Sequence, residues 1–380
     1  MHMKGILKDI VKPQFLLKIG LVLCVFLSSS YLKYKVLDEA GGDFSTYKKA
    51  VRDFIAGKNI YKDTVESYEP GSTKEHGYAY FPTMLYIYSP LYKLSLATDY
   101  PLQRVWKASV FMADIGVGLM ILKILWKKSY WAALAGVTFW WLNPFLIVRN
   151  SGVYTEPFGI LFMLLALYYL EKDDIKAGIL YAISFSFKSF PVILLPLFLI
   201  KSKNKVKFLV GAAVFAIIIS IPFMRSIQDF MWYVQGAFFV HGSREPQGRP
   251  LLFFITYYTS IPLFSLVTAN IYRYVCIILG WVLTSYFQFK KKILDKYILS
   301  MISFAVFYLF TPVLTRTYML WFIPVYTIGM FNVFEKKKEG FTGKNKIYFF
   351  LSLIAFYAFY AWYLSLWSKG LRIKGDVISL

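Results

Sequence analysis

The sequence predicts an all-α polytopic membrane protein, and three properties of its composition support that prediction. Of the 380 residues, 58% are hydrophobic and only 17% are charged, and the mean hydropathy is +0.52. A soluble domain needs more charge than this to cover its surface. Aromatic residues make up 20% of the chain, with 30 Tyr and 10 Trp, and these two favour the boundary between membrane and water. We therefore expect most of the chain to lie in and at a bilayer.

Apolar segments that could cross a bilayer follow one another along the chain, and a spanning helix needs about 20 apolar residues. We exclude 80–97, because counting it would place Lys127 and Lys128 outside and invert every later loop. A short helix at the outer surface, or one that only dips into the membrane, is expected there. Two short segments flank a break near Lys188 and Pro191. The total is about 10–12 transmembrane helices. Predicted helices cover about 14–32, 104–126, 129–148, 156–171, 176–187, 190–201, 207–224, 268–289, 296–312, 317–334 and 346–366.

Membrane topology explains the net charge of +22, which comes from 43 Lys and Arg against 21 Asp and Glu. Basic residues cluster in short loops that fall on one side of the predicted membrane, together with the N-terminus. The positive-inside bias makes that side cytoplasmic. No nucleic-acid-binding motif accompanies the charge, so we expect no nucleic-acid partner. The clusters lie at 127–128, 201–207, 290–292 and 336–338.

Two long regions, 33–103 and 225–267, are expected on the opposite, extracytoplasmic face. They belong to a single transmembrane catalytic domain predicted over 1–380. Since every cytoplasmic loop is short, we expect the chemistry on the outer face. The membrane is expected to be the plasma membrane of a prokaryote. Cys24 and Cys276 both fall in apolar segments, so neither a disulfide nor a metal site is expected from them.

An acidic residue, Asp43, directly precedes a predicted amphipathic helix in the stretch AGGDFSTYKKAVRDFIAG. From Phe44 onward, apolar residues recur at helical spacing while mostly basic residues fill the other face, which suits a helix lying in the membrane interface. Gly57 is a typical helix stop signal. Asp43 is thus expected at membrane level. It is either the N-cap of this helix or a functional carboxylate, and spacing alone leaves both open.

Four motifs together resemble the GT-C class of integral-membrane glycosyltransferases, and within it the branch that depends on polyprenyl-phosphate mannose. The first is GGDFSTYKKAVRDFIAGKNIYKD, which resembles that branch's Asp-x-x-x-Tyr helix with its Gly-Lys-Asn-x-Tyr ending. The second is YAYFPTMLYIYSPLY, similar to a Tyr-x-Tyr-Pro-Pro segment, although Thr83 replaces the second Pro. The third, SFKSFPVILLPLFL, resembles a Lys-x-x-Pro-x-x-x-x-Pro helix pair. The fourth, TPVLTRTYMLWFIP, resembles a late Pro…Tyr-x-x-Trp-x-x-Pro segment. They follow the expected order over most of the chain.

The resemblance implies a GT-C-like bundle with interfacial helices in the first outer loop, and an enzyme that passes a hexose, mannose in this branch, from a polyprenyl-phosphate donor to an acceptor hydroxyl with inversion. The acceptor would be a glycan, a glycolipid or a protein, membrane lipids would surround the site, and no cofactor is implied. Such a reaction needs a carboxylate as general base, and Asp43 fits by residue type and place. The resemblance implies that Tyr47, Tyr318 and Glu156 bind substrate. For Glu156, related transferases have a similar Tyr-x-Glu turn that lines the cavity.

Cations must hold the leaving lipid phosphate. Lys188 interrupts an apolar pair of short helices, and an intramembrane cation is unfavourable unless it is paired. Its alternative role is to snorkel to the outer interface. His241, Arg244 and Arg249 in the second outer loop could instead form a solvated rim. Arg316 could instead be an interface anchor. The predicted phosphate ligands are Lys188, His241, Arg244, Arg249 and Arg316.

Two further carboxylates have structural alternatives. Glu156 begins a predicted helix, where the helix dipole favours an acid in any case. Asp114 lies mid-helix, so it is either functional or a protonated or paired structural group, and it is too deep to be the transfer base.

Metal-binding and nucleotide-binding motifs are missing from the sequence. No Asp-x-Asp pair, P-loop, Rossmann glycine pattern or nucleophile elbow occurs. A monophosphate leaving group does not require a metal, so we predict a metal-independent enzyme. Two other functions stay open: a transporter or flippase for a lipid or polar solute, and a polymerase or ligase of lipid-linked glycans. In the last case His241 would matter more than Asp43.

Overall fold

The computed structural model of the chain consists almost entirely of helices. It describes residues 13–39, 41, 43–69, 71–75, 77–148, 155–240, 247–248, 266–290, 295–311, 313–335, 340–368, 372–374 and 377–379. The α-helices are α1 (Pro13–Lys35), α2 (Phe44–Ile55), α3 (Ile60–Ser67), α4 (Thr83–Thr98), α5 (Leu102–Leu125), α6 (Tyr130–Trp141), α7 (Pro144–Val148), α8 (Glu156–Tyr169), α9 (Asp174–Phe187), α10 (Leu195–Lys201), α11 (Lys205–Ser220), α12 (Ile227–Val234), α13 (Leu266–Phe289), α14 (Lys296–Phe310), α15 (Met319–Glu335) and α16 (Gly343–Ser368). Short 3₁₀ turns at Phe190–Leu194 and Ile221–Phe223 and a π-helical turn at Gln235–Phe239 join some of them.

Four helices in the described part of the chain are long and apolar enough to cross a membrane: Pro13–Lys35, Leu102–Leu125, Lys205–Phe223 and Gly343–Ser365. Shorter apolar helices accompany them, at Glu156–Tyr169, Phe190–Lys201, Ile277–Phe289, Lys296–Leu309 and Met319–Glu335. α1, α11 and α16 leave many large apolar side chains exposed, which suits contact with lipid rather than water. The chain is therefore an all-α polytopic integral membrane protein, as predicted. The total of about 10–12 spans and their orientation stay predictions.

Most predicted helices are present, with ends that differ by a few residues. The segment predicted at 80–97 forms the separate helix α4, which packs against α2 and α5. The predicted helix over 129–148 is wrong in one respect, because it is divided into α6 and α7. Asn143 separates them, since its side-chain oxygen accepts hydrogen bonds from the amides of Phe145 and Leu146 and starts a new helix.

The main core lies where α5, α6, α8, α9 and α15 pack together, with α11 and α14 against its sides. α9 and α11 approach very closely. A Cβ atom on Gly178 would lie 2.0 Å from the carbonyl oxygen of Phe208, and one on Gly211 would lie 2.4 Å from that of Ile175. Such glycine contacts are common between membrane helices, because they let two backbones touch.

A second core, which we call the aromatic cluster, lies beside the first. It joins α2, α3, α4 and the start of α5 to the end of α9 and to α12. Gly57, with φ +74°, ends α2 as predicted and turns the chain towards α3. The cluster packs the helices of 33–103 onto the bundle. Its buried aromatic residues are Tyr47, Tyr61, Tyr78, Phe81, Tyr88, Trp106, Phe187, Phe223 and Tyr233.

Four very short strands form a sheet in the order β2-β1-β3-β4. β1 (Gln247–Gly248) pairs in parallel with β2 (Val313–Leu314) and antiparallel with β3 (Arg372–Lys374), which pairs antiparallel with β4 (Val377–Ser379). Strands of two or three residues leave no detectable periodicity in a sequence, so the sheet could not be predicted.

Candidate active site

Asp43 occupies the N-cap position of α2. Its backbone carbonyl accepts a hydrogen bond from the amide of Tyr47 at 2.9 Å. Its carboxylate, however, makes no capping hydrogen bond to the described first turn of the helix. The N-cap interpretation therefore describes where Asp43 lies, but not what its side chain does.

Tyr47 connects Asp43 to the rest of the site. Its side chain is 3% exposed, and its ring centroid lies 6.0, 6.2 and 6.3 Å from those of Tyr78, Tyr80 and Tyr88. Burial raises the pKa of the Tyr47 hydroxyl well above its usual range, and the nearby Tyr80, Asp43 and Glu156 groups raise it further. Tyr47 is thus held as a neutral phenol, near two carboxylates that are far apart in the sequence.

Lys188 and Glu156 form a buried ion pair. Lys188 follows the last residue of α9 in an extended conformation, with φ −156° and ψ 142°, and its Nζ binds Oε1 of Glu156. The side chains are 13% and 1% exposed. A snorkelling Lys188 would be exposed and unpaired, so that alternative is wrong. The ammonium also lies 5.3 Å from the ring centroid of Tyr318, which is within cation–π range.

Glu156 is the first residue of α8, and close contacts of Gly159 fix the first turn of that helix. Gly159, one turn later, lies so close to Trp321 of α15 that an added Cβ would be 2.5 Å from the indole. The carbonyl of Gly159 accepts a hydrogen bond from Ser184 of α9 at 2.7 Å. Glu156 Oε2 is buried and has no hydrogen-bond partner among the described residues, so one acceptor oxygen remains available beside Lys188.

The other predicted site residues are less closely grouped. Tyr318 packs edge-on against Phe190, with ring centroids 4.2 Å apart, next to the break that follows α9. The Arg316 guanidinium lies 5.9 Å from the ring centroid of Phe145 on α7. His241, Arg244 and Arg249 lie outside the described residues, so their predicted role at the phosphate is untested.

Sequence reasoning missed one member of this group. Tyr80 lies near both Tyr47 and Lys188, close enough to influence the electrostatics of each. It belongs to the motif YAYFP, which was a signal that could have identified it.

Asp114 lies elsewhere, as the partner of Lys33 on α1. The side chains of Lys33 and Asp114 are 5% and 4% exposed. The indoles of Trp140 and Trp141 donate to the backbone carbonyl of Asp114, at 3.1 and 3.4 Å. Asp114 is therefore paired, as one of its two interpretations expected, and its structural role stays a prediction.

Within the described part of the chain, no group of three or more His, Cys, Asp and Glu residues could hold a metal ion. The described site instead offers one cation, Lys188, together with phenols and carboxylates. Metal independence stays a prediction.

Comparison with known proteins gives a partial match. No family model matches the chain. One similar protein is a GPI mannosyltransferase 1 from Kluyveromyces lactis, 30% identical over 112 residues that cover 28% of this chain and 28% of that protein. Another is a GPI mannosyltransferase 1 from Candida albicans, 31% identical over 120 residues that cover 29% of this chain and 30% of that protein. The matches thus span less than a third of each relative.

Proposed function

We propose that this chain transfers mannose from a polyprenyl-phosphate donor to a hydroxyl of a glycan, glycolipid or protein, with inversion at the anomeric carbon. The reaction takes place at the extracytoplasmic face of a prokaryotic plasma membrane, within one domain. One observation carries the proposal: Asp43 and Glu156, which is the partner of Lys188, both act electrostatically on the hydroxyl of the buried Tyr47. A carboxylate and a phosphate-binding cation are the two groups that this transfer needs. The names of the two relatives support mannose as the sugar.

Asp43 acts as the general base. It accepts the proton of the acceptor hydroxyl while that oxygen attacks C1 of the sugar. The bond between C1 and the phosphate oxygen breaks as the new bond forms, and its electron pair leaves with the polyprenyl phosphate. A single displacement of this kind inverts the anomeric configuration. Tyr47, as a neutral phenol beside Asp43, can donate a hydrogen bond to the sugar or the acceptor.

Lys188 stabilises the leaving phosphate. Its ammonium group has three donors, and the contact with Glu156 Oε1 occupies one of them. A phosphate oxygen can therefore bind Lys188 beside Glu156, while Glu156 Oε2 accepts a hydrogen bond from a sugar hydroxyl. Since the leaving group is a monophosphate, the proposal needs no metal ion and no cofactor.

Transfer by purified protein in lipid nanodiscs tests this function. Radiolabelled polyprenyl-phosphate mannose, other polyprenyl-phosphate sugars and nucleotide sugars are each supplied with a lipid and glycan extract as acceptor. We expect transfer from polyprenyl-phosphate mannose, and a loss of about 10²–10⁴-fold in Asp43→Asn.

The matched control is Asp63→Asn. Asp63 is an exposed acid on the neighbouring helix α3 that pairs with Lys49 at 2.6 Å. It should keep full transfer. Near-normal turnover of Asp43→Asn would refute the general base, and lipid translocation into vesicles without transfer would favour a flippase.

A further inference from the structure

α1 is held to the bundle by few buried residues. Only Ser29 and Lys33 of its 23 residues are buried, and Lys33 pairs with Asp114 of α5 in the last turn of the helix. This pair fixes the end of α1, well before Asp43. Contacts made after α1 ends then set the position of Asp43 relative to that end.

Lys107 of α5 supplies the first of these contacts. Its side chain is almost completely buried, with the residue 1% exposed. Its Nζ donates hydrogen bonds to the carbonyl of Val36, at 2.7 Å, and to that of Glu39. A buried ammonium in a membrane helix is unfavourable unless it is well paired, and main-chain carbonyls just past the end of a helix are strong acceptors for a cation. Lys107 thus fixes the backbone four residues before Asp43.

Trp106, the neighbour of Lys107, fixes the chain on the other side of Asp43. Its indole lies edge-on to Phe44, the residue directly after Asp43, with ring centroids 5.3 Å apart. The same indole stacks on Tyr88 of α4 at 4.4 Å and 14°, and it is fully buried. Two consecutive residues of α5 therefore hold the chain at Glu39, four residues before Asp43, and at Phe44, directly after it.

We infer that Lys107 is a positioning residue for Asp43, and that its ammonium, assisted by the Trp106 indole, sets the place of the carboxylate. The inference rests on the proposed function for its catalytic consequence. The two carbonyls take two of the three donors of the Lys107 ammonium, so we assign Lys107 to the chain before Asp43 and not to a reacting atom. Its removal should displace Asp43 and leave the Lys188–Glu156 pair intact.

Two kinetic constants separate positioning from donor binding. In Lys107→Met, we expect kcat to fall about 10–100-fold, as a displacement of about 1 Å does, while KM for polyprenyl-phosphate mannose changes less than twofold. Lys107→Arg, which keeps the donors, should recover most of kcat. The control Lys123→Met, at an exposed lysine of the same helix, should match the unmodified protein. Equal losses in Lys107→Arg and Lys107→Met, or a rise in KM alone, would overturn the inference.

A measurement without turnover tests positioning separately. A nitroxide label is attached at Asp43→Cys, and at Asp63→Cys as the control, with Cys24 and Cys276 replaced by serine. Lys107→Met should increase label mobility at 43 and leave it unchanged at 63. No change at 43 would refute the inference even if the proposed function holds. Increased mobility at 43 would support it even if Asp43→Asn retains turnover.

A second variant covers the case in which Lys107→Met does not fold. Phe44→Leu keeps an apolar side chain but removes the ring that contacts Trp106. We expect a smaller increase in label mobility at 43 and a smaller fall in kcat, in the same direction. Unchanged mobility and kcat in Phe44→Leu would contradict the role of α5.

Discussion

Two buried lysine–carboxylate pairs in this protein have the same chemistry but different surroundings. In Lys33–Asp114 and in Lys188–Glu156, the ammonium binds one carboxylate oxygen. The other oxygen is buried and lacks a hydrogen-bond partner within the described residues in both. Burial and pairing alone therefore do not distinguish a structural pair from one that can bind a substrate.

The difference lies in where the pairs are on their helices. Asp114 is in the middle of α5, and its Lys33 partner lies near the phenyl ring of Phe111, 5.7 Å from the ring centroid. Lys188 and Glu156 instead lie at a helix end and a helix start, beside Tyr318. Helix ends border loops, which can rearrange around a ligand, whereas the mid-helix Asp114 carboxylate is enclosed by neighbouring helices, although its partner Lys33 lies in the last turn of α1. The comparison teaches that position on the helix, more than the ion pair itself, indicates function.

The largest expected effect is the loss of stability when one member of the enclosed pair is removed. Lys33→Met leaves Asp114 buried without its partner, which should lower the free energy of unfolding by about 3–5 kcal/mol. Unfolding by SDS in mixed micelles, followed by tryptophan fluorescence, measures it. Lys35→Met, at an exposed lysine two residues away, is the control and should change little. A loss for Lys33→Met no larger than that of the control would show that the pair is not structural.

Apolar replacement of both members should then separate the two pairs. Replacing a buried ion pair by apolar residues of similar volume is often neutral for stability. Lys33→Met with Asp114→Leu should therefore recover both stability and transfer. Lys188→Met with Glu156→Leu should recover stability but lose about 10²–10³-fold in transfer, because the phosphate-binding cation is gone. Full transfer by the second double variant would break the comparison, since both pairs would then be structural.

The loss of a neutral buried hydrogen bond near Lys188 is a reference for the stability losses expected at the ion pairs. Thr83 of α4 donates to Ser186 of α9 at 2.6 Å, two residues before Lys188. Thr83→Val keeps the shape and should lower the free energy of unfolding by about 1 kcal/mol, measured in the same SDS titration. Ser186 also donates to the carbonyl of Ile183, so it does not become unpaired. A loss as large as that of Lys33→Met would mean that local packing, not charge, dominates near the break.

The sequence was sufficient for the long helices but not for the ion pairs. Long apolar segments predict α1, α5 and α11 directly, because burial in lipid requires them. Glu156 and Lys188 were each selected as site residues, yet for separate roles, since no local pattern joins two residues on different helices. Lys33 was not selected at all, because a lysine near the end of a membrane helix usually anchors it at the interface. The short helices α3 and α12 were missed, as helices of about two turns carry little periodic signal.

The smallest effect is expected at an exposed pair close to Lys107. Arg104 of α5 binds both carboxylate oxygens of Asp38, with Nη2 to Oδ2 at 2.8 Å. This hydrogen bond holds the pKa of the Asp38 carboxyl below its usual value. Because the folded-state pKa is lowered, the stabilisation is fully present above the unfolded pKa of about 3.9 and is lost as the pH falls through the folded pKa.

Asp38→Asn should therefore differ slightly from the unmodified protein at pH 5–8, and the difference should begin to shrink only below about pH 4, as the pH falls through the lowered folded-state pKa of Asp38. Thermal unfolding between pH 3 and pH 8, at low and high salt, measures it. Since the Asp38 side chain is 67% exposed, salt should weaken the effect further. A salt-independent loss at pH 7 as large as that of Lys33→Met would contradict the expectation. Such a result would mean that the two hydrogen bonds at Asp38 stabilise the protein more than burial does. We expect the opposite order, because the Lys33–Asp114 pair has only one contact but is buried.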